Sequence, residues 1–425
     1  MLVEFSVTNF KSIKDRQTLS LVASKGKEVA DTQILDASPS GGGSGIKLLP
    51  SVAIYGANAA GKSNLLKALE EMETIVLYSA RQQHRGDLLP VMPFKLDPAT
   101  RNAPSEFEAI FIAEGVRYQY GFSATPERIV DEWLLAYPKN RPQHWFNREW
   151  DEKNKKHEWS LGASLVGGKN LWQKSTRDDA LFLSTAIQLN SQQLQPVFDW
   201  FQGKLHRVSA SGLTPNFSAS FCDTQKGQEV IMNFLRTADL SIDGVQVKKE
   251  SFDREKLPKT LSKTAREEVA KALEIEDLYQ IQMVRRDAEG KPIAFDIEDE
   301  SDGTQKFFSF AGPWIDVLAN GEVLFVDELH GSLHPKLVEL LVNLFNNKKA
   351  NPNNAQLIFT THETSILKQE VLRRDQIWFC EKDKFQATRI YPLSDFRPRK
   401  GRENLEMMYL SGRYGAVPYI EKVQG

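Results

Sequence analysis

The run Gly56-Ala57-Asn58-Ala59-Ala60-Gly61-Lys62-Ser63 places phosphate-binding residue types at a spacing that lets them act on one anion. Glycines let successive backbone N–H groups turn inward on a phosphate, and a helix beginning there adds the positive end of its dipole. Lys62 is expected to reach the β- and γ-phosphates of a nucleotide, and the Ser63 hydroxyl to ligate Mg2+. A second run, Glu322-Val323-Leu324-Phe325-Val326-Asp327-Glu328, is an apolar strand ending in two carboxylates. Asp327 suits the Mg2+ shell opposite Ser63, and Glu328 is placed to polarise a water attacking the γ-phosphate. A third, Gln356-Leu357-Ile358-Phe359-Thr360-Thr361-His362, ends an apolar strand in a histidine that can donate a hydrogen bond to the same phosphate. In the fourth, Ser301-Asp302-Gly303-Thr304-Gln305-Lys306, Ser301 can cap a helix while Gly303 lets backbone approach an anion.

These groups need elements to hold them. Ser51 to Tyr55 reads as a short buried strand. Ser63 to Leu77 has helical spacing in Leu65, Leu66, Leu69, Met72 and Val76, so the glycine run lies between strand and helix. Val3 to Phe10 alternates like a half-buried strand, and Glu106 to Tyr137 reads as antiparallel strands. Ser38 to Gly45 is a flexible glycine-dense loop. Residues 138–174 read as a hairpin-bearing excursion whose Trp145, Trp150, Trp159 and Trp172 pin a surface lobe or stack on nucleic acid. Helices are expected over 178–200, 227–238 and 265–273. The last third alternates: helix 304–319, strand 322–327, helix 334–347, strand 356–360, helix 364–371, strand 376–380. Such alternation implies a parallel sheet covered by helices. No sustained heptads mark a long coiled coil.

Composition agrees with a globular chain. It has 425 residues, 41% hydrophobic and 26% charged, with 54 Lys plus Arg against 56 Asp plus Glu. A net charge of −2 argues against a generally basic nucleic-acid binder, although Arg397, Arg399, Lys400 and Arg402 form a basic run. Cys222 and Cys380 are too few for a disulfide framework or a multi-cysteine zinc site. No apolar run approaches the roughly 18 residues of a spanning helix, and no secretory signal is visible, so a cytoplasmic protein without membrane contact is expected.

Taken along the chain, the four runs resemble the Walker A, signature, Walker B and switch histidine of the ABC-type ATPases of the SMC/RecF group. Val7-Thr8-Asn9-Phe10-Lys11-Ser12 is similar to that group's first-strand segment near the nucleotide, and Ser332-Leu333-His334-Pro335 to the D-loop of its compact, arm-less branch. The tail segments Asp375–Trp378, Leu393–Phe396 and Tyr409–Pro418 resemble the AAA15-type ATPases, the AbiL/RloA-like proteins and the ATPase of PARIS-type systems, which are associated with abortive infection and phage defence. The resemblance covers both ends of the chain well and residues 140–290 poorly. It departs at the signature, where Thr304 replaces the second glycine.

The resemblance implies an α/β ABC-type ATPase head with a phosphate-loop parallel sheet, an antiparallel β lobe and a helical lobe. The implied division is 1–138, an inserted lobe 139–290, and 291–425. It assigns Asn9, Phe10, Lys11, the run from Gly56 to Ser63 and Asn64 to ATP, and Ser63, Asp327 and a Q-loop glutamine to Mg2+. That glutamine is Gln188 or Gln192, with Gln188 taken here. Glu328, His362 and Lys62 are the catalytic set. Ser301, Gly303 and Gln305 act in trans, beside Ser332 and His334 of the D-loop, so a homodimer or larger homo-oligomer is implied. The function implied is an ATP-gated sensor and regulator of a separate toxic effector, a TOPRIM-like nuclease, in anti-phage defence. The alternatives are a RecF-like clamp on duplex DNA and an ATP-ordered scaffold that needs no turnover.

Overall fold

The computed structural model describes residues 1–26, 28–30, 32–37, 45–81, 87–138, 141–209, 212–238, 240–250 and 278–418. Most of the glycine-dense loop (38–44) and the helix expected over 265–273 lie outside these residues. The chain divides into two compact units: 1–208 with 320–329 and 342–425, and 209–319 with 330–341.

The first unit holds two large sheets. One is antiparallel and built from β1 (Leu2–Thr8), β2 (Gln17–Ser20), β6 (Ser105–Ala113), β7 (Val116–Thr125), β8 (Arg128–Tyr137), β9 (Gln143–Asp151) and β10 (Lys156–Leu161). Its seven strands lie in the order β10-β9-β8-β7-β6-β1-β2. A small ribbon pairs β3 (Leu35–Ala37) with β4 (Ile46–Leu48).

The other sheet has six strands. Across it run β11 (Leu205–Ser209), β15 (Val323–Asp327), β16 (Gln356–Thr360), β5 (Ser51–Tyr55), β17 (Ile377–Lys382) and β18 (Thr388–Pro392). β15, β16, β5 and β17 are parallel, with Val326 beside Phe359 and Thr360 beside Ile54. Parallel strands are covered on both faces, which is why these segments are continuous apolar runs. The register also sets Asp327, Thr360 and Tyr55 at one edge, so the loops leaving these strands emerge together. Helix α1 (Lys62–Tyr78) touches β1 and β6 of the antiparallel sheet and β15 of the parallel one. Leu65, Leu69, Met72 and Val76 bury its apolar stripe in their common core.

Three expectations need correcting here. Residues 139–208 belong to the first unit rather than an inserted lobe, because β9 pairs with β8 and β10 with β9, extending the antiparallel sheet to Leu161. Trp145 and Trp172, the latter on the short α2 (Lys169–Ser175), are buried in that packing and offer no stacking surface. The helix expected over 178–200 is two, α3 (Phe182–Gln188) and α4 (Gln195–Gly203), parted where Asn190 takes a φ of 61°. The helix expected over 364–371 is only the 3-10 turn Thr364–Ile366, because the buried Gln369 side chain is held by the backbone of residues 399–403.

The second unit contains α5 (Asn216–Phe221), α6 (Gln225–Arg236) and most of α7 (Asp302–Asn320). Its antiparallel sheet has three strands, β12 (Gly244–Glu250), β13 (Leu278–Arg286) and β14 (Pro292–Asp296). Pro313 inside α7 cannot donate to Ser309, and the Ser218 hydroxyl donates to that carbonyl instead, at 3.0 Å. Phe234 stacks on Phe307 at 4.9 Å to complete the packing. Among the described residues no helix is long and apolar enough to cross a membrane.

Candidate functional site

At the end of β5 the chain turns through Gly56–Gly61 into α1. Gly61 has a φ of 109°, and a Cβ there would lie 2.1 Å from Thr388 Oγ1 and 2.8 Å from Ser12 Oγ. Gly56 has no space either, since its Cβ would meet the Cys380 carbonyl at 2.2 Å. Both glycines are therefore required by close approach, Gly61 by its backbone conformation as well. Thr388 Oγ1 donates to the Ala60 carbonyl at 2.8 Å, and the Ser12 and Thr388 hydroxyls bond at 2.7 Å. Asn64 Nδ2 donates to Ser12 Oγ at 2.7 Å, so the Asn64 side chain braces the loop. Asn58 and Ala59 stand exposed at the tip, with Ala57 half-buried beside them.

Lys62 opens α1 and is 7% exposed. Its ammonium donates to the carbonyls of Gly56 (2.8 Å) and Ala57 (3.2 Å) and lies 3.0 Å from His362 Nε2. A protonated lysine in that pose requires Nε2 to accept, which puts the imidazole proton on Nδ1. Burial holds the Lys62 pKa below its ordinary value, against the opposing pull of Cys380, Asp327 and Glu328. Cys380, buried against the Ala60 carbonyl at 3.5 Å, has its thiol pushed up to about 12 by burial.

The neighbouring strands supply the carboxylates. Thr360 Oγ1 donates to Asp327 Oδ1 at 2.6 Å and accepts from the Glu328 N–H at 2.8 Å. One hydroxyl thus aims Asp327 and fixes Glu328, whose φ of 59° turns its exposed side chain away from the strand. Thr360, Ser12 and Thr388 are not in the set expected from the motifs. Thr360 carries a signal, a polar pair ending an otherwise apolar strand, whereas Thr388 follows Lys62 by more than three hundred residues and carries none. Among the described residues, Asp327 Oδ2 and the Ser63 hydroxyl have no protein partner. Two such oxygens suit a hard cation such as Mg2+.

Other expected residues are placed differently. Asn9 is buried, its Nδ2 facing the carbonyls of Thr100, Ala103 and Pro104 and its Oδ1 taking the Phe94 N–H. Phe10 packs edge-on against Phe107 in the core. Both side chains are buried and build the turn. Lys11 stays half-buried with its ammonium over the Phe10 ring. Gln188 ends α3 with its side chain exposed, and among the described residues no hydrogen bond joins it to Ser63 or Asp327. The start of α3 is fixed by the buried Glu132, which accepts from the Phe182 and Leu183 N–H groups and pairs with Arg148 at 3.0 Å.

In the second unit, Ser301 Oγ accepts from the Thr304 N–H at 3.3 Å and caps α7, and Gln305 Nε2 donates to the Glu300 carbonyl at 2.8 Å. A Cβ on Gly303 would lie 3.2 Å from the Ser332 carbonyl, so the signature turn and the D-loop are packed together. Ser332, with a φ of 59°, and His334 are both exposed.

The sequence matches, over residues 51–368, the family described as "AAA domain, putative AbiEii toxin, Type IV TA system". No curated protein matches it. Among solved structures, the chain is similar to an SMC head domain from Thermotoga maritima, with 13% identity, 92% of this chain and 98% of that chain covered, and a TM-score of 0.40. It is similar also to an Smc head domain bound to the C-terminal domain of ScpA derived from Pyrococcus furiosus (11% identity, 93% and 99% covered, TM-score 0.40). A third is the recombination mediator protein RecF with ATP (14% identity, 85% and 93% covered, TM-score 0.31). The family match takes in the phosphate loop, the acidic strand and His362 and spans most of the chain, and the protein belongs to that AAA family.

Proposed function

We propose that the chain binds ATP with Mg2+ and hydrolyses it, in a site that a second copy completes. The observation that carries this reading is the 3.0 Å approach of Lys62 Nζ to His362 Nε2, with Asp327 and Glu328 ending the next strand. The backbone N–H groups at the start of α1 and the Lys62 ammonium bind and orient the phosphates. Ser63 and Asp327 hold Mg2+, which when bound neutralises phosphate charge. Glu328 takes the proton of the attacking water, and His362 donates to the γ-phosphate once Lys62 has turned from it. Gln188, at the end of α3, is proposed as the Q-loop glutamine that serves the Mg2+.

Ser301, Gly303 and Gln305 supply a second helix N-terminus from another copy, beside Ser332 and His334, giving a homodimer or larger homo-oligomer closed by ATP. The ATP-gated assembly is proposed to sense infection and to hold or release a separate toxic effector, a TOPRIM-like nuclease, in anti-phage defence in the cytoplasm. The family description, with its putative AbiEii toxin, and the resemblance of the tail to abortive-infection ATPases support the defence setting, and the separate effector rests on that resemblance alone.

Steady-state ATP turnover of the wild type and Glu328→Gln, with and without duplex DNA, tests the reading. The variant is expected to lose roughly a hundredfold or more while still binding ATP. Unchanged turnover in Glu328→Gln would remove the catalytic assignment. Several-fold stimulation by duplex DNA would favour a RecF-like clamp over a protein-gated switch.

A further inference from the structure

β18 begins beside the phosphate loop, where Thr388 donates to Ala60, and runs antiparallel to β17, so Pro392 and the segment after it lie toward the opposite end of the sheet. There Arg397, Arg399, Lys400 and Arg402 are all exposed, as is Lys368, next in sequence to the residue that anchors them. That anchor is Gln369, only 4% exposed. Its Nε2 donates to the carbonyls of Arg399 (3.1 Å) and Glu403 (2.9 Å), and its Oε1 accepts from the Gly401 N–H at 2.7 Å. The Pro398 carbonyl takes Arg374 Nη1, and the Arg399 N–H donates to Glu403 Oε2, each at 2.7 Å.

The loop's backbone is thus held at Pro398, Arg399, Gly401 and Glu403, while its cationic side chains face outward. Neighbouring acids are mostly committed. Glu403 Oε1 takes Arg413 and the Tyr414 hydroxyl, Glu406 takes the Thr364 hydroxyl, and Glu28 pairs with Arg374. Asp395 and Glu370 remain exposed, so the patch keeps an excess of positive charge. Three arginines on a pre-ordered loop match a row of phosphates, because each guanidinium can fork two oxygens and little ordering remains to be done on binding.

We infer that the Arg397–Arg402 loop is a binding site for the phosphate backbone of a nucleic acid, separate from the nucleotide site and independent of ATP. Such a site needs neither turnover nor the composite ATP site.

Fluorescence anisotropy of a labelled DNA duplex tests it, using wild type, Arg399→Glu/Arg402→Glu and Lys62→Ala, each with and without ATP. Wild type is expected to bind without nucleotide, Lys62→Ala equally well, and the double reversal roughly tenfold or more weaker with a shallower salt dependence. Arg399→Lys/Arg402→Lys should bind more weakly than wild type but clearly better than the double reversal, which separates charge from folding. Equal affinity in the double reversal overturns the site. Binding only with ATP, or its loss in Lys62→Ala, also overturns it by moving the contact to the nucleotide-closed surface. Polyglutamate displacing the duplex at equal charge concentration overturns the nucleic-acid assignment in favour of an acidic protein.

Discussion

The phosphate loop and the Ser301–Gln305 turn each lead into a helix N-terminus, and they are built in opposite ways. The phosphate loop is shaped from afar: Asn64 reaches Ser12, Lys62 reaches His362, and Thr388 holds Ala60. The signature turn is held mainly by its own neighbours, Ser301 with Thr304 and Gln305 with Glu300, and Ser301 is exposed. A loop that must close on several phosphate oxygens needs its backbone fixed by surrounding strands, because each misdirected N–H weakens the site. A turn that meets its anion across an interface needs only a capped, accessible helix start. Under the proposed function, the contrast separates a site formed within one chain from a surface that meets a second copy.

Gly61→Val strikes hardest at this contrast. With a φ of 109° and a Cβ that would lie 2.1 Å from Thr388 Oγ1, the loop has no room for a branched side chain. ATP binding should fall below detection, and chemical denaturation should show about 2–4 kcal/mol of lost stability. Retained binding would mean that the long-range bracing does not shape the loop.

Ser301→Arg probes the other side. The lost cap should cost about 0.5–2 kcal/mol, ATP binding by a single copy should survive, and ATP-dependent association, read by sedimentation, should disappear. Loss of ATP binding itself would sink the two-copy reading.

Thr360→Val is the gentlest of the three. It removes the donor to Asp327 and the acceptor for the Glu328 N–H, so turnover should fall roughly tenfold while Thr360→Ser stays near wild type. Equal activity in Thr360→Val would show that the carboxylates need no aiming.

Much of the architecture is legible because local patterns and long-range needs coincide. Val323–Val326, Leu357–Phe359 and Val52–Ile54 are continuous apolar runs, as strands buried on both faces must be, and they form the parallel sheet. The 139–208 segment reads as a separate lobe because its hairpin carries many polar and aromatic residues. Only pairing with β8, invisible in a single strand's alternation, joins it to the antiparallel sheet. Asn9 and Phe10 resemble ligand contacts from their place in a familiar motif. Their side chains are consumed by Thr100, Ala103, Pro104 and Phe107, none of them near in sequence.

The phosphate-loop chemistry is written in the residues alone, because glycine, lysine and serine at that spacing act through backbone conformation and charge, which are local properties. The apolar strands that end in Asp327 and His362 are equally local. Which polar atoms remain available is a matter of tertiary structure. Folding sets Thr360 to aim the carboxylates, Ser12 and Thr388 to fix the loop, and Gln369 to order the arginines beyond β18. Hydrogen bonds between residues hundreds of positions apart depend on strand order and register, which no local pattern encodes.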